Sequence, residues 1–212
     1  MLIACWSVKG GSGTSVTAAT LALVLARSSG AAVLVDCAGD APAVLGVPSP
    51  HGGGVVAWAA SEAPRDSLWG LAVDAAPGLM LLPAGPPGPA DAAAGERLAA
   101  ALDDRRPVVV DCGSAGGPFG MAVAGVATVS LLVIRPCYLA LRRALDAPMR
   151  PSSVVLIDEP GRSLRPADVE DVLGVPVRAV IPCEPRIARC VDAGLMAARL
   201  PRSVAVAVRR AA

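Results

Sequence analysis

The stretch Leu2–Ser15, LIACWSVKGGSGTS, joins an apolar run to a glycine-rich turn, and an Ala-rich segment follows. The apolar run Leu2–Val8 predicts a buried strand, and Ser15–Ser28 predicts a helix. Glycines between a strand and a helix N-terminus allow backbone N–H groups to converge on a phosphate, because no side chain blocks the approach. The sequence therefore predicts a nucleotide-binding loop at residues 9–15, with an ordinary flexible turn as the alternative.

The rest of the chain repeats this alternation of short apolar runs and helical-length segments. Further strands are predicted at Ala32–Val35, Leu79–Leu82, Val108–Val110, Val129–Ile134, Val154–Ile157 and Val177–Ile181. Crossover helices are predicted at Ala90–Asp103, Cys137–Ala147, Arg165–Leu173 and Glu184–Arg199. Such alternation is typical of parallel strands joined by right-handed crossovers. We therefore predict an α/β fold, a doubly wound, mostly parallel sheet with helices on both faces, and a single domain over residues 1–212.

The segment Ala38–Gly78 is the least regular part of the sequence, because it contains five prolines and a run of three glycines. We predict loops there, with one short helix around Val55–Ala60 and with Trp58 and Trp69 as packing anchors. The Pro- and Gly-rich stretch Ala84–Ala90 is predicted to be a surface loop within the same domain.

Composition excludes several classes of protein. Of the 212 residues, 54% are hydrophobic and 17% charged, with a mean hydropathy of +0.57, which excludes a disordered or fibrous chain. The apolar stretches Val16–Ala26 and Met121–Ile134 are shorter than the roughly 18–20 residues of a membrane span. Met1–Val8 has no basic residue of the kind that opens a signal peptide. We therefore expect a cytoplasmic protein.

The cysteines do not form a recognisable metal motif. The six lie at positions 5, 37, 112, 137, 183 and 190, with no C-x-x-C pair. We predict that they are buried free thiols in a reducing compartment, with a metal or iron–sulfur site as the alternative. His51 is the only histidine, which excludes a zinc site with several histidines.

The glycine-rich loop resembles the deviant Walker A motif of the MinD/ParA family, which reads G-K-G-G-x-G-K-[ST]. In that family the early lysine crosses a dimer interface to the partner's phosphates. The resemblance implies this role for Lys9, the only lysine beside 18 arginines, and hence a homodimer. It also implies ATP and Mg²⁺ as cofactors, with a nucleotide-binding loop made of Lys9, Gly10, Gly11, Ser12, Gly13, Thr14 and Ser15.

Two positions depart from the family pattern. Thr14 stands where the P-loop lysine would reach the phosphates, and Val8 replaces the first glycine. A threonine hydroxyl can donate one hydrogen bond but supplies no charge. We therefore expect ATP binding to be weak or absent, and stabilisation of the transition state to suffer more.

Carboxylates follow two of the predicted strands. Asp36 ends the second strand, where active family members have Asp-x-Asp, and Ala38 replaces the second carboxylate. The resemblance implies a catalytic role for Asp36, while Asp40 either substitutes for the missing carboxylate or caps a loop. Asp111 resembles the Walker B aspartate, which would hold Mg²⁺ through water, opposite the hydroxyl of Ser15. A helix N-cap is the alternative for Asp111.

The segments Gly39–Leu45 and Leu173–Leu200 resemble the CpaE/TadZ branch, which is associated with Flp (Tad) pilus assembly. The resemblance implies a positioning or scaffold protein that has lost most ATP hydrolysis. Its implied partners are pilus or secretion assembly proteins, which would recruit it to a pole or to membrane machinery. Asp158 and Glu159 stand where an Asn-Arg pair often reads adenine in the family.

Two other functions are also compatible with the sequence. The first is an active dimeric ATPase in which Lys9 of the partner provides the missing charge. The second is a ParA-like DNA partition protein that uses residues 135–212, where 13 basic and 8 acidic side chains give a net charge of +5. The lack of a dense Lys/Arg stripe disfavours DNA, and Ser203–Ala212 is too short for a strong amphipathic membrane anchor.

Overall fold

The computed structural model describes residues 1–48, 52–114 and 117–211, and the structural statements below refer to those ranges. His51 lies outside them, so the structure does not test the argument based on the single histidine. Within the described ranges, none of the helices has both the length and the apolar character of a membrane span.

Eight strands in the described ranges form one sheet. They are β1 (Leu2–Ser7), β2 (Ala32–Asp36), β3 (Val73–Ala76), β4 (Leu79–Leu82), β5 (Val108–Ser114), β6 (Val129–Ile134), β7 (Ser153–Asp158) and β8 (Val177–Pro182). The order across the sheet is β3-β4-β2-β5-β1-β6-β7-β8. Every neighbouring pair is parallel except β3 and β4. The predicted mostly parallel α/β sheet is confirmed.

Helices cover both faces of this sheet. They are α1 (Thr14–Ser29), α2 (Ala41–Leu45), α3 (Val55–Ala59), α4 (Ala92–Ala101), α5 (Pro118–Val126), α6 (Tyr138–Leu145), α7 (Pro166–Leu173), α8 (Pro185–Asp192) and α9 (Arg202–Val208), with a 3-10 helix at Arg65–Leu71. Helices α1, α2, α8 and α9 bury side chains in one core layer, and α3 to α7 bury theirs in the other. Because parallel strands are covered on both faces, they read as continuous apolar runs.

Strand β1 alternates its side chains between the two core layers. Ile3 and Cys5 point to the layer under α1, whereas Ala4 and Trp6 point to the opposite layer. Trp6 has no exposed surface, and its indole N–H donates to Ser130 Oγ on the adjacent strand β6 at 2.8 Å. The largest side chain of the core is therefore tied by a hydrogen bond to the neighbouring strand.

The segment Ala38–Gly78 is more regular than predicted. Its expected short helix is present as α3, and Trp58 is 7% exposed, as an anchor should be. However, α2, the 3-10 helix and β3 also lie in this segment. Strand β3 pairs antiparallel to β4 across the two-residue turn Pro77–Gly78, in which Gly78 has a φ of +75°. This Pro-Gly turn was the available signal for the hairpin.

Other boundaries also differ from the predictions. The predicted helix Glu184–Arg199 ends at Asp192, because Gly194 adopts a left-handed φ of +62°. Helices α5 and α9 were not predicted. The C-terminal segment, considered above as a membrane anchor, packs on α1 and β8 with Val204 and Val208 buried. Strand β5 continues to Ser114, so Asp111 lies inside the strand and not at its end.

The three strands that carry the predicted site residues are adjacent. Strand β5 lies between β2 and β1, and all three run in the same direction. Their carboxyl ends therefore meet at one edge of the sheet, where ligands bind in open α/β folds. This adjacency confirms the predicted convergence of the glycine-rich loop, Asp36 and Asp111.

The bond between Trp6 and Ser130 gives a test of the packing. We expect Ser130→Ala to lower the free energy of unfolding by about 1–3 kcal/mol, because the buried indole N–H loses its acceptor. Ser67→Ala is the matched control, since Ser67 accepts from the Trp58 indole at 3.0 Å but is itself exposed, so water can replace it. Equal losses in urea unfolding would contradict the assignment of Trp6 to a dry core.

Candidate functional site

A crevice of about 810 Å³ lies at the carboxyl ends of the central strands. One wall is the glycine-rich loop, and the facing wall is the end of β5 with the start of α5. The turn between β2 and α2 and the end of α8 complete its lining. Of the predicted nucleotide-binding residues, the structure brings Gly10, Gly11, Ser12, Gly13, Thr14 and Ser15 to this crevice.

Hydrogen bonds within the loop hold its backbone in place. The hydroxyls of Ser7 and Ser12 both donate to the carbonyl of Lys9, at 3.0 and 2.7 Å. Gly13 is the N-cap of α1 and has a φ of +90°, a conformation that L side chains rarely adopt. The loop therefore places the N-terminus of a 16-residue helix at the crevice, and the first N–H groups of such a helix attract anions.

The loop is nearly without positive charge. Thr14 lines the crevice and is 6% exposed, and it occupies the position that the family lysine would take. Lys9 is exposed and is not part of the crevice lining. Among the described lining residues, Asp40 and Asp192 are acidic and none is Lys or Arg. The described lining of the crevice thus offers the N-terminus of α1 but no cationic side chain.

Asp36 is fully buried and does not line the crevice. Its Oδ1 accepts from the N–H groups of Ala38 and Gly39 at 2.9 and 2.7 Å, and its Oδ2 accepts from Ala41 at 3.1 Å. Burial raises the pKa of this carboxyl, and the three N–H donors act in the opposite direction. Asp36 therefore shapes the turn that leads into α2, a role that sequence reasoning missed. The predicted catalytic role has no support from this geometry.

Asp40 lies on the crevice instead. It stands at the N-cap position of α2, but its side chain makes no capping hydrogen bond. The loop-cap alternative for Asp40 is therefore wrong. Ala38 also lines the crevice, and a Cβ built on Gly113 would lie 3.2 Å from the Ala38 Cβ. The position of the missing carboxylate thus faces the end of β5.

Asp111 is a buried carboxylate with one free oxygen. Its Oδ1 accepts from the N–H of Gly113 at 3.0 Å, while Oδ2 has no hydrogen-bond partner among the described residues. Burial raises its pKa to about 6; the nearby Ser15 hydroxyl lowers it, and Asp36 raises it. The Ser15 hydroxyl lowers this pKa although it forms no hydrogen bond of normal geometry to Asp111. The N-cap alternative is wrong, because α5 begins only at Pro118.

The free oxygen of Asp111 suits the Mg²⁺ ion that the sequence resemblance implies. A buried carboxylate oxygen without a donor is costly unless a cation or a cation-bound water occupies the space beside it. The hydroxyl of Ser15 on the facing loop adds a second oxygen of the kind that Mg²⁺ prefers. The residues present therefore fit the ion, although the structure carries no ligands.

A backbone contact between two glycines joins the turns that follow α2 and α8, two helices that contribute to the crevice lining. A Cβ on Gly46 would lie 1.7 Å from the carbonyl oxygen of Gly194, so the turn after α2 and the turn after α8 touch directly. Val44 and Asp192, which line the crevice, come from these two helices. Sequence reasoning missed this contact, for which the only signal was a glycine after each short helix.

The cysteines differ in exposure. Cys5 and Cys112 are buried as predicted, Cys37, Cys137 and Cys190 are partly buried, and Cys183 is exposed, so the buried prediction is wrong there. Burial raises the pKa of the Cys37 and Cys112 thiols, which line the crevice, and so keeps them protonated. In the described part of the chain, no three His, Cys, Asp or Glu side chains form a group that could hold a metal.

Comparison with known proteins identifies the fold. No protein-family model and no curated protein matches the chain. The MinC:MinD cell division complex of Aquifex aeolicus contains a similar chain, with a TM-score of 0.80 and 19% identity over 99% of this chain and 94% of that one. MinD of Pyrococcus horikoshii, complexed with Mg-ADP, has a TM-score of 0.79 and 21% identity over 99% and 93%. A ParA family ATPase of Chlorobium tepidum has a TM-score of 0.75 and 19% identity over 97% of each chain.

These similarities extend over nearly the whole chain, but the identities are low, so they establish the fold and not the activity. The sequence resemblance and the structural similarity point to the same group of proteins. The chain therefore has the α/β fold of the MinD/ParA-family P-loop ATPases.

Proposed function

We propose that this chain is a MinD/ParA-type positioning or scaffold protein that binds MgATP weakly and hydrolyses it little or not at all. The observation that carries the proposal is the glycine-rich loop, whose backbone is ordered for a phosphate while Thr14 occupies the position of the lysine. A scaffold needs the shape of the fold and a partner surface, and it can function without turnover.

Binding would use the backbone and two oxygens. The N–H groups at the start of α1 would donate to phosphate oxygens, since the helix N-terminus is the only strongly anion-attracting feature of the described crevice. The Ser15 hydroxyl and Asp111 Oδ2 would hold the Mg²⁺, which neutralises phosphate charge when it is bound. Asp111 has no exposed surface, so it would hold the ion through a metal-bound water and would not contact the nucleotide itself.

Hydrolysis would be limited by two absent groups. Thr14 supplies no charge to the phosphates, and Ala38 supplies no carboxylate to orient water. Asp40 lies on the same crevice and is the remaining candidate for that second role. In mutagenesis of other enzymes, losing one group that stabilises the transition state costs about a hundredfold or more in rate, so we expect the two absences to act together.

The finer parts of the proposal concern partners. The CpaE/TadZ-like segments Gly39–Leu45 and Leu173–Leu200 support a role beside pilus or secretion assembly proteins. The exposed position of Lys9 supports a homodimer in which the loops of two chains face one another. It also supports the second candidate function, an active dimeric ATPase that uses Lys9 in trans.

Replacing Thr14 with lysine tests the missing charge. We expect Thr14→Lys to bind MgATP roughly ten to a hundred times more tightly than wild type, because a charged donor to phosphate is worth about 1.5–3 kcal/mol. Calorimetry measures the two affinities. Thr14→Gln is the matched control, since it adds length without charge and should bind no better than wild type.

Hydrolysis by Thr14→Lys should stay low, because Ala38 still provides no carboxylate. A phosphate-release assay should detect an increase only when Ala38→Asp is added, with Ala38→Asn as the uncharged control. Rapid turnover by the wild-type chain would contradict the proposal and favour the active ATPase. A Thr14→Lys protein that gains no affinity would mean that the crevice does not take nucleotide.

The raised pKa of Asp111 predicts a dependence of stability on pH. The pKa of Asp111 in the folded chain, about 6, lies above its ordinary value of about 3.9 in the unfolded chain. Between pH 4 and pH 6 the folded chain therefore binds more protons than the unfolded chain. This contribution is complete below about pH 4 and is lost as the pH rises through 6. When the pH is raised from 4 to 7, the free energy of unfolding of wild type, measured in urea, should fall by roughly 1–3 kcal/mol more than that of Asp111→Asn.

Added Mg²⁺ separates the metal site from simple burial. At pH 7, Mg²⁺ should stabilise wild type, because it binds beside the ionised Asp111, and should leave Asp111→Asn unchanged. Ca²⁺ serves as the control for non-specific divalent binding. Parallel pH profiles for the two proteins, or equal stabilisation by Mg²⁺, would contradict the site.

A further inference from the structure

A cluster of three charged side chains lies just beyond the carboxyl ends of β6 and β7, outside the crevice lining. Arg135 follows β6, and its NH1 donates to Glu159 Oε1 at 2.6 Å. Arg162 holds the other oxygen of Glu159 at 2.7 Å. Two guanidinium groups therefore share one carboxylate, and the cluster carries an excess of one positive charge.

Strand register places Arg135 beside the loop. Strands β1 and β6 are parallel, and Trp6 pairs with Leu132. Lys9 follows Trp6 by three residues, and Arg135 follows Leu132 by three residues. A second observation agrees, because β7 pairs Leu156 with Ile134, which puts Ile157 level with Arg135. A Cβ on Gly13 would lie 3.7 Å from the Ile157 side chain. Gly13, near the end of the loop, therefore lies close to a side chain that is level with Arg135.

The observed position of Arg135 leaves one of its donors unused. Its Nε is buried and has no hydrogen-bond partner among the described residues. A buried N–H without an acceptor is costly, so the ion pair with Glu159 does not satisfy the whole guanidinium. The side chain is 40% exposed, which leaves it free to change rotamer. A phosphate group, with several acceptor oxygens, could engage Nε and a terminal nitrogen together.

Glu159 makes this movement inexpensive. When Arg135 leaves Oε1, Arg162 still binds Oε2 through two nitrogens, so the carboxylate does not lose all its partners. Arg135 can therefore exchange one anion for another without leaving an unpaired charge behind. Attraction to a phosphate would also be favoured by the net positive charge of the cluster.

We propose that Arg135 is a phosphate-binding residue, held in reserve by Glu159, which moves to the ligand at residues 10–15 and partly replaces the lysine that Thr14 lacks. The inference rests on the proposed nucleotide crevice and names the cation that serves it. It also assigns Glu159 a function: the carboxylate competes with the phosphate for Arg135 and so tunes its affinity.

Titration of the full chain with MgATP and with inorganic pyrophosphate tests the proposal. Arg135→Gln should weaken binding of both by about tenfold or more, because a charged donor is lost. Arg135→Lys should retain part of the affinity. Arg178→Gln is the matched control, since Arg178 is an exposed residue near the amino end of β8, at the opposite edge of the sheet, and its loss changes net charge equally.

Glu159→Gln distinguishes a reserve cation from a structural ion pair. This variant releases Arg135, so binding of MgATP should become tighter, and a merely structural pair would instead give weaker binding. Thermal unfolding of each variant reports whether the fold is retained. Equal effects of Arg135→Gln and Arg178→Gln, or weaker binding by Glu159→Gln, would overturn the proposal.

The Thr14→Lys background separates this inference from the proposed function. Arg135→Gln should cost less affinity there than in wild type, because the lysine already supplies the charge. If wild type binds neither probe while Thr14→Lys binds both, the role of Arg135 is wrong and the crevice assignment stands. If neither protein binds either probe, the crevice assignment is wrong as well.

Discussion

The parallel pairing of β1 with β5 on one side and β6 on the other is the constraint on which the site depends. Because β1 is hydrogen-bonded along both edges, its carboxyl end delivers the glycine-rich turn to the edge of the sheet between β5 and β6. Glycines at that turn let the backbone reach α1 directly. The same pairing brings Asp111 beneath the loop and Arg135 beside it.

Backbone geometry and charge are separable in this site. The glycine-rich turn is held by the hydroxyls of Ser7 and Ser12, which donate to the Lys9 carbonyl. The turn between β2 and α2 is held by Asp36, which accepts from three backbone N–H groups. None of these interactions requires a ligand. Charge is supplied by individual side chains, and the fold forms with an uncharged threonine at position 14. The fold alone therefore cannot establish an ATPase.

The strands and the loop could be predicted from sequence because each depends on local pattern. Buried parallel strands are continuous apolar runs, and the loop is a glycine cluster between two such elements. Features that depend on distant residues could not be predicted. The contact of Gly46 with Gly194 and the Arg135–Glu159 pair join residues from separate elements. The position of Asp36 at the end of β2 was predicted correctly. The contacts of its side chain depend on the turn between β2 and α2, which has no periodic sequence pattern.

The central claim is that the crevice retains a phosphate cradle but has lost the charge that makes binding tight. Phosphorus-31 NMR of MgATP titrated with the wild-type chain tests it directly, because it reports the phosphates themselves. We expect fast exchange, with small shifts of the β- and γ-phosphate resonances that saturate only at high protein concentration, and no accumulation of inorganic phosphate. A slowly exchanging bound species together with steady release of phosphate would contradict it.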